Sequence, residues 1–402
     1  MSSAPVSYDP NSTTETTNIP ELPNAPRRIL LNGSALLQPP LSRRGSGPGI
    51  ILITAQRNSL SSGSSLDPDP IQKWAEEGFA VVGTHGEGEF ATQLGAVTAA
   101  LKAHDSLTVK DKFGLIIYDE QLSLKISSSA SMLSDLGIAC VITVSSSPIA
   151  SLQSIPLQSH IAQNDASTAT SAENTTVFNY NDCGVNFILP YDKDYNPSAA
   201  ALAHTRNLVF LRKHLGGPHF DLVSIWEEHT KFEFEERSVA RTMATMVAEP
   251  YVNHLPTMTG GRGRANLTAF YRDNFIFCNP PDTVLSPLSR TVGPDRVVDE
   301  FIFSCTHTSV IPWLLPGVQP TNVKISVPML AVVNVRGDRL YHEHIWWDQA
   351  SVLRQIGILP SHLDHNGQQQ KLPVSGTEQA QLLIGAAGVE GNQMLSPEWT
   401  TS

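Results

Sequence analysis

The sequence predicts two domains, an α/β doubly wound sheet followed by an α+β domain with an antiparallel, hairpin-linked sheet. Three observations carry this prediction. A chain of 402 residues is too long for one compact core. In the first half, short apolar runs alternate with helix-like segments, the order of βαβ units. In the second half helices come first, and the strands that follow close on a hairpin whose returning strand is the richest stretch in ionisable and aromatic residues.

Taken in order, residues 1–27 form a polar leader rich in Ser, Thr, Asn and Pro, read as disordered and lacking the apolar core of a signal peptide. Gly49–Thr54 is a continuous apolar run, as expected of a strand buried on both faces. Pro70–Gly78 has a proline at its start and a glycine at its end, the asymmetry of a helix. Phe79–Gly83 reads as the next strand. A helix over about 91–104 leads to the strand Phe113–Tyr118, and another over about 129–136 leads to the strand Ala139–Val144. Ala199–Leu215 reads as a closing helix with Leu202, Thr205, Leu208, Val209 and Leu211 on its inner side.

These stretches carry a resemblance over residues 28–215. Trp74–Val81, Lys112–Tyr118 and Tyr195–Leu215 resemble the dienelactone hydrolase family of the α/β-hydrolase fold. Family members carry a cysteine nucleophile on a glycine-flanked turn, and a histidine that follows a glycine. Here Asp119 stands at the nucleophile position without a flanking glycine, and Val185 follows Gly184 where the histidine belongs. Asp165 matches the family's acid. With two of three parts replaced, the resemblance implies a degenerate hydrolase site.

Gly216–Pro218 ends the closing helix and opens a second domain, residues 216–360. Phe220–Met246 reads as an amphipathic helical run, Tyr251–Thr257 as a short extended segment, and Asn266–Phe275 as a helix. Two strands follow, Arg296–Ile311 and Lys324–Val335, and Arg336–Asp338 supplies the turn of a hairpin. On the returning strand, alternation puts His342, His344, Trp346 and Asp348 on one face, with Tyr341, Glu343, Ile345 and Trp347 on the other. Residues 361–402 read as a loose tail with one short helix around 377–383.

Asn253–Thr257, the Gly260-Gly261-x-Gly263 turn, Leu267–Tyr271, Asp295–Glu300, Thr306–Thr308 and the stretch from His342 to Leu353 resemble the SnoaL-like branch of the nuclear transport factor 2 superfamily. That resemblance implies a curved-sheet cone closed by helices around a pocket, and it implies a homodimer. The pairing of the two halves also resembles fungal fusion proteins of unassigned role. In SnoaL-like cyclases an aspartate at the end of the last strand is a general acid/base, and the matching position is Asp348. A carboxylate in an apolar cavity has its pKa raised and can move a proton next to a carbonyl. His254, His307, His342 and His344 are candidate partners of that chemistry, and Trp346, Trp347, Phe301, Phe303 and Glu300 are candidate lining residues. Each has an ordinary counterpart: structural hydrogen bonding for His254 and His307, helix capping for Asp348, core packing for the tryptophans. Along Arg296–Ile311, at most one of Asp299 and Glu300 faces a pocket.

The net charge of −11 and the absence of Lys/Arg clusters exclude a nucleic-acid surface. No apolar run is long enough to span a bilayer. Cys140, Cys183, Cys278 and Cys305 are widely spaced without a CxxC pair, so the sequence implies no zinc knuckle or disulfide framework and a reducing, cytoplasmic setting. His342-x-His344 is too weak a pattern to imply a metal, and nothing implies a cofactor. The expected partner is a small apolar molecule. Three functions stay open: acid/base cyclisation, isomerisation or dehydration of an apolar carbonyl substrate by the second domain; lactone or ester hydrolysis by the first; and ligand binding or scaffolding without catalysis.

Overall fold

The computed structural model describes residues 22, 25–55, 65–85, 90–163 and 173–401. The chain divides into two compact units, one formed by Glu21–Asp221 with Arg336–Arg339, the other by Leu222–Val335 with the chain from Leu340 onward.

The first unit is built on an eight-stranded sheet. Its strands are β1 (Arg28–Leu30), β2 (Ala35–Gln38), β3 (Gly49–Thr54), β4 (Ala80–His85), β5 (Phe113–Tyr118), β6 (Ile138–Ser145), β7 (Leu157–Gln163) and β8 (Thr175–Asn181). They lie in the order β1-β2-β4-β3-β5-β6-β7-β8. β2 is antiparallel to both neighbours, and every pair from β4 to β8 is parallel. The helices are α1 (Pro70–Glu76), α2 (Phe90–Lys102), α3 (Glu120–Lys125), α4 (Ala130–Asp135) and α5 (Pro197–Leu215). Period-two alternation splits the core. Ile51, Ile53, Leu115 and Ile117 pack under α2 and α4, while Ile50, Leu52, Ile116 and Tyr118 pack under α1 and α5. Asp69 caps α1, accepting from Ile71 N and Gln72 N, and Gly78 turns the chain out of it at φ +92°.

One expectation for this unit needs correction. The inner side of α5 does not include Leu202 and Val209, which are 48% and 47% exposed. Its buried stripe runs instead through Ala203, His204, Asn207, Leu208 and Leu211. The polar members of that stripe are buried because they are partnered: His204 Nε2 lies 2.8 Å from Glu77 Oε1, and Asn207 Oδ1 accepts from Gln158. For the same reason β7 has no apolar signature in sequence. Its Gln158, Ser159 and His160 are buried and satisfied by one another's neighbours.

The second unit opens with α6 (Leu222–Thr230), a π-helical turn (Lys231–Glu235) and α7 (Val239–Ala244). The single helix expected over 220–246 is therefore broken, with Ser238 capping α7 through Arg241 N. Six strands follow: β9 (Met246–His254), β10 (Thr259–Arg262), β11 (Val284–Val292), β12 (Arg296–Thr306), β13 (Lys324–Arg336) and β14 (Arg339–Trp347), in the order β10-β9-β14-β13-β12-β11. β9 runs parallel to β14, and β12 is antiparallel to both β11 and β13. The edge strand β11 was not anticipated, and it carries Pro287 at a bulge, as edge strands tolerate. The strand expected over 296–311 ends at Thr306. Helix α8 (Arg264–Phe270) continues into a second π-helical turn, Tyr271–Phe275. Gly260 is required where it stands: at φ +137°, an added Cβ would lie 1.9 Å from Val252 O. Arg264 donates to the carbonyls of Met243 and Val247 at 2.9 and 3.1 Å.

Helix α9 (Gln349–Gln355) follows β14 directly. The tail expected to be loose is structured. It forms a hairpin of β15 (His362–His365) and β16 (Gln368–Lys371), then α10 (Glu378–Leu383) and α11 (Pro397–Thr401).

Candidate functional site

One face of the six-stranded sheet bounds a cavity of about 620 Å³. Side chains two apart on each strand line it: Phe301 and Phe303 with Asp299 on β12, Met329 and Ala331 on β13, Glu343 and Ile345 on β14. The other side is closed by α6 and the two π-helical turns, through Trp226, Glu233 and Phe275. Such turns insert one residue into a helix and re-aim the side chains beside it. Here one carries Glu233 and the other opens on Tyr271.

These two residues meet His229 and Glu343 at a buried cluster. His229 Nε2 lies 3.0 Å from Glu343 Oε1 and 3.2 Å from Glu233 Oε1. Its Nδ1 lies 2.5 Å from Thr245 Oγ1, and that hydroxyl donates its own proton to Thr242 O at 2.7 Å. Thr245 therefore accepts from Nδ1–H, which fixes the ring and aims Nε2 at the carboxylates. Tyr271 OH donates to Glu343 Oε1 at 3.2 Å. Burial alone would push the His229 pKa down, but the two carboxylates overcome it and raise it to about 10. Burial pushes the Glu233 carboxyl up, against the pull of the imidazolium and with the repulsion of Glu343. Burial likewise raises the Tyr271 phenol far above its usual range, so it stays a donor. The ligand atoms of His229, Glu233 and Glu343 lie within 4.8 Å of one another, a set that could hold a divalent cation. A proton on Nε2 meets the same two carboxylates without an ion.

Elsewhere on the cavity wall Arg290 forms a bidentate pair with Asp299, both contacts at 2.9 Å, and reaches Glu227 at 2.8 Å. Trp226 Nε1 donates to Asp299 as well, at 2.8 Å.

The residues expected from sequence are divided by this geometry. His254, Phe301 and Phe303 line the cavity. His254 packs among Phe270, Phe275, Trp313 and Trp347, and burial lowers its pKa to about 3, so it is a neutral ring. Trp347 is buried beside His254 and Trp313, with Nε1 donating to Gln349 Oε1. Glu300 points to the other face of β12, where it accepts from Ser289 Oγ at 2.8 Å. His307 lies beyond the end of β12 with Nδ1 3.1 Å from Thr321 Oγ1. His342, His344 and Trp346 do share a face, but it is the one away from the cavity. There the two imidazoles stack at 4.4 Å, Tyr251 lies 4.8 Å from His342, and Trp346 is 39% exposed.

Asp348 is the main correction. It is exposed and caps α9, accepting from Ala350 N at 3.0 Å and Ser351 Oγ at 2.6 Å, with Gln379 Nε2 at 2.9 Å. Partial burial raises its pKa, but these donors outweigh that and hold it below the usual carboxylate range, opposite to the shift an acid/base needs. In the first unit, Asp119 is likewise a helix cap, accepting from Leu122 N at 2.9 Å at the start of α3, and Val185 packs against the core. Asp165 lies outside the described residues.

Sequence reasoning missed His229, Glu233, Glu343 and Tyr271 as site residues. The available signal was His229 and Glu233 at i,i+4 on a helical run, together with the carboxylate that alternation places opposite the histidines on β14.

Residues 231–356 match the family model described as SnoaL-like polyketide cyclase. The matched span covers both π-helical turns and all six strands of the second unit. Among solved structures, TsrD from Streptomyces laurentii is similar at 17% identity and TM-score 0.29, covering 35% of this chain and 100% of its own. A nuclear-transport-factor-2-like protein from Burkholderia pseudomallei is similar at 16% identity and TM-score 0.27, covering 33% and 95%. At these scores the likenesses carry no argument about activity. None of the curated proteins matches the chain. Among the described residues, no helix is long and apolar enough to cross a membrane.

Proposed function

We propose that the SnoaL-like unit is a small-molecule enzyme of cyclase or isomerase type, moving a proton on an apolar carbonyl substrate within its cavity. One observation carries this reading: two buried carboxylates, Glu233 and Glu343, line a cavity beside Phe275, Phe301, Phe303 and Trp313 and are bridged by His229. The match of residues 231–356 to SnoaL-like polyketide cyclases supports the same class of chemistry.

Glu233 and Glu343 share one cationic neighbour, and the charge of Glu343 opposes ionisation of Glu233. Tyr271 OH donates to Glu343, and the imidazolium of His229 faces both. Glu233, its carboxyl pushed up by burial and by Glu343, holds a proton more readily than an ordinary carboxylate and is the group assigned the transfer. In the proposed step Glu233 takes the proton from the carbon beside the carbonyl and returns it after the double bond or ring has formed. The walls Phe301, Phe303 and Trp313 exclude water and so strengthen every charge interaction at the carboxylates.

The test is exchange of α-protons in D₂O, followed by proton NMR over a panel of apolar ketones and esters. Exchange is expected with the native protein and is expected to fall by about 10²-fold or more in Glu233→Gln. Exchange that survives in both Glu233→Gln and Glu343→Gln rejects the proposed roles.

A further inference from the structure

The charges on the cavity wall are unbalanced. Glu227, Glu233, Glu235, Asp299 and Glu343 contribute carboxylates, while Lys231 and Arg290 contribute the cationic side chains. Neither cation is available to an incoming anion. Arg290 is held by Asp299 and by Glu227, and Lys231 pairs with Glu236 at 3.2 Å. His229 is spent between Glu233 and Glu343. The exposed part of the lining includes two further carboxylates, with the Glu227 side chain 62% exposed and Glu235 exposed. Aromatic rings fill the space between, among them Trp226, Phe234, Phe275 and Trp313.

Arg290 is shared by two carboxylates and His229 by two more, so each pair is only half compensated, and a body without a cationic group leaves that excess negative charge unmet when it displaces water. An anion would add repulsion. A cation offsets the desolvation, and the electron-rich faces of the surrounding rings attract it further. From this combination we infer that the ligand is an organic cation: an apolar body bearing a protonated or quaternary amine. The amine lies among the rings and the exposed carboxylates Glu227 and Glu235, and the reacting carbonyl lies at Glu233 and Glu343. This deepens the acid/base reading of the same cavity and rests on it for the position of the carbonyl.

Three ligands of matched shape test it on the full chain by isothermal calorimetry: (naphthylmethyl)trimethylammonium, the uncharged isostere in which carbon replaces nitrogen, and naphthylacetate. The cation is expected to bind at least about tenfold tighter than the isostere, with naphthylacetate weakest. That margin is expected to shrink severalfold in the double variant Glu227→Gln/Glu235→Gln, the isostere's affinity moving less than the cation's. Equal binding of cation and isostere overturns the inference, as does preferred binding of naphthylacetate or no binding by any of the three. The two readings separate cleanly. If α-proton exchange on an uncharged ketone is lost in Glu233→Gln while the cation shows no preference, the acid/base reading stands alone. If the cation is preferred and no α-proton exchanges, the ligand class stands alone.

Discussion

His160 in the first unit and His229 in the second are both completely buried, yet their surroundings drive them to opposite charge states. His160 is bonded to neutral groups, Tyr180 OH at 2.9 Å and Asn207 Oδ1 at 2.6 Å. Burial dominates there and lowers its pKa to about 4. His229 meets two carboxylates, which outweigh burial and raise it to about 10. A buried imidazole satisfied by neutral partners stabilises a core; one satisfied by carboxylates that border a cavity stores charge where a ligand can meet it. The contrast is between the two rings: His160 is held among neutral partners, and His229 among carboxylates that line the cavity.

Removing each ring should break the comparison unevenly. His229→Ala leaves two buried carboxylates without their cation, and the expected loss is about 3–5 kcal/mol in urea denaturation. His160→Ala leaves neutral partners unsatisfied, and the expected loss is about 1–3 kcal/mol. Equal losses would mean that His229 is not charged.

Ring-proton NMR against pH sharpens the same contrast. The folded pKa of His229 lies above its ordinary 6.5, so its contribution to stability is complete below about 6.5 and is lost as pH climbs through about 10. The folded pKa of His160 lies below 6.5, so the unfolded chain takes up its proton first. Its contribution is complete above about 6.5 and is lost as pH falls toward about 4. Titration of His229 near 6.5 would remove the charged cluster from the proposed function.

The sequence made the alternation of β14 legible but not its inside and outside. His342, His344 and Trp346 lie on one face, as period two requires, and density of chemistry suggested that this face was the working one. The cavity face holds Glu343 and Ile345 instead. A single strand carries no sign of which side its sheet will cover; that depends on α6 and the π-helical turns, whose registers depart from the period of 3.6 that a sequence reading assumes. In the first unit the apolar strands β3, β5 and β6 were legible because both faces are covered. β7 was not, since its polar residues are buried by partners distant in sequence, Gln158 with Asn207 and His160 with Tyr180.

Asp348 and Glu343, five residues apart, provide a smaller contrast. Asp348→Ala removes a helix cap, with an expected cost of about 1 kcal/mol and no change in α-proton exchange. Asp348→Asn, which keeps a capping oxygen, should cost less. Loss of exchange in Asp348→Asn with unchanged stability would return the chemistry to the end of β14.

The smallest effect is expected on the outer face of that strand. Trp346 is 39% exposed and meets only the edge of His344, at 5.7 Å and 89°, among the ring contacts of the described residues. Trp346→Ala therefore removes little buried area, and a change within about 0.5 kcal/mol in urea denaturation is expected. Ligand affinity, read by calorimetry with the naphthyl cation, should stay within about twofold, because side chains on opposite faces of one strand meet different surroundings. A tenfold loss of affinity in Trp346→Ala would mean that the outer face also contributes to binding, and the distinction between the two faces of β14 would fail.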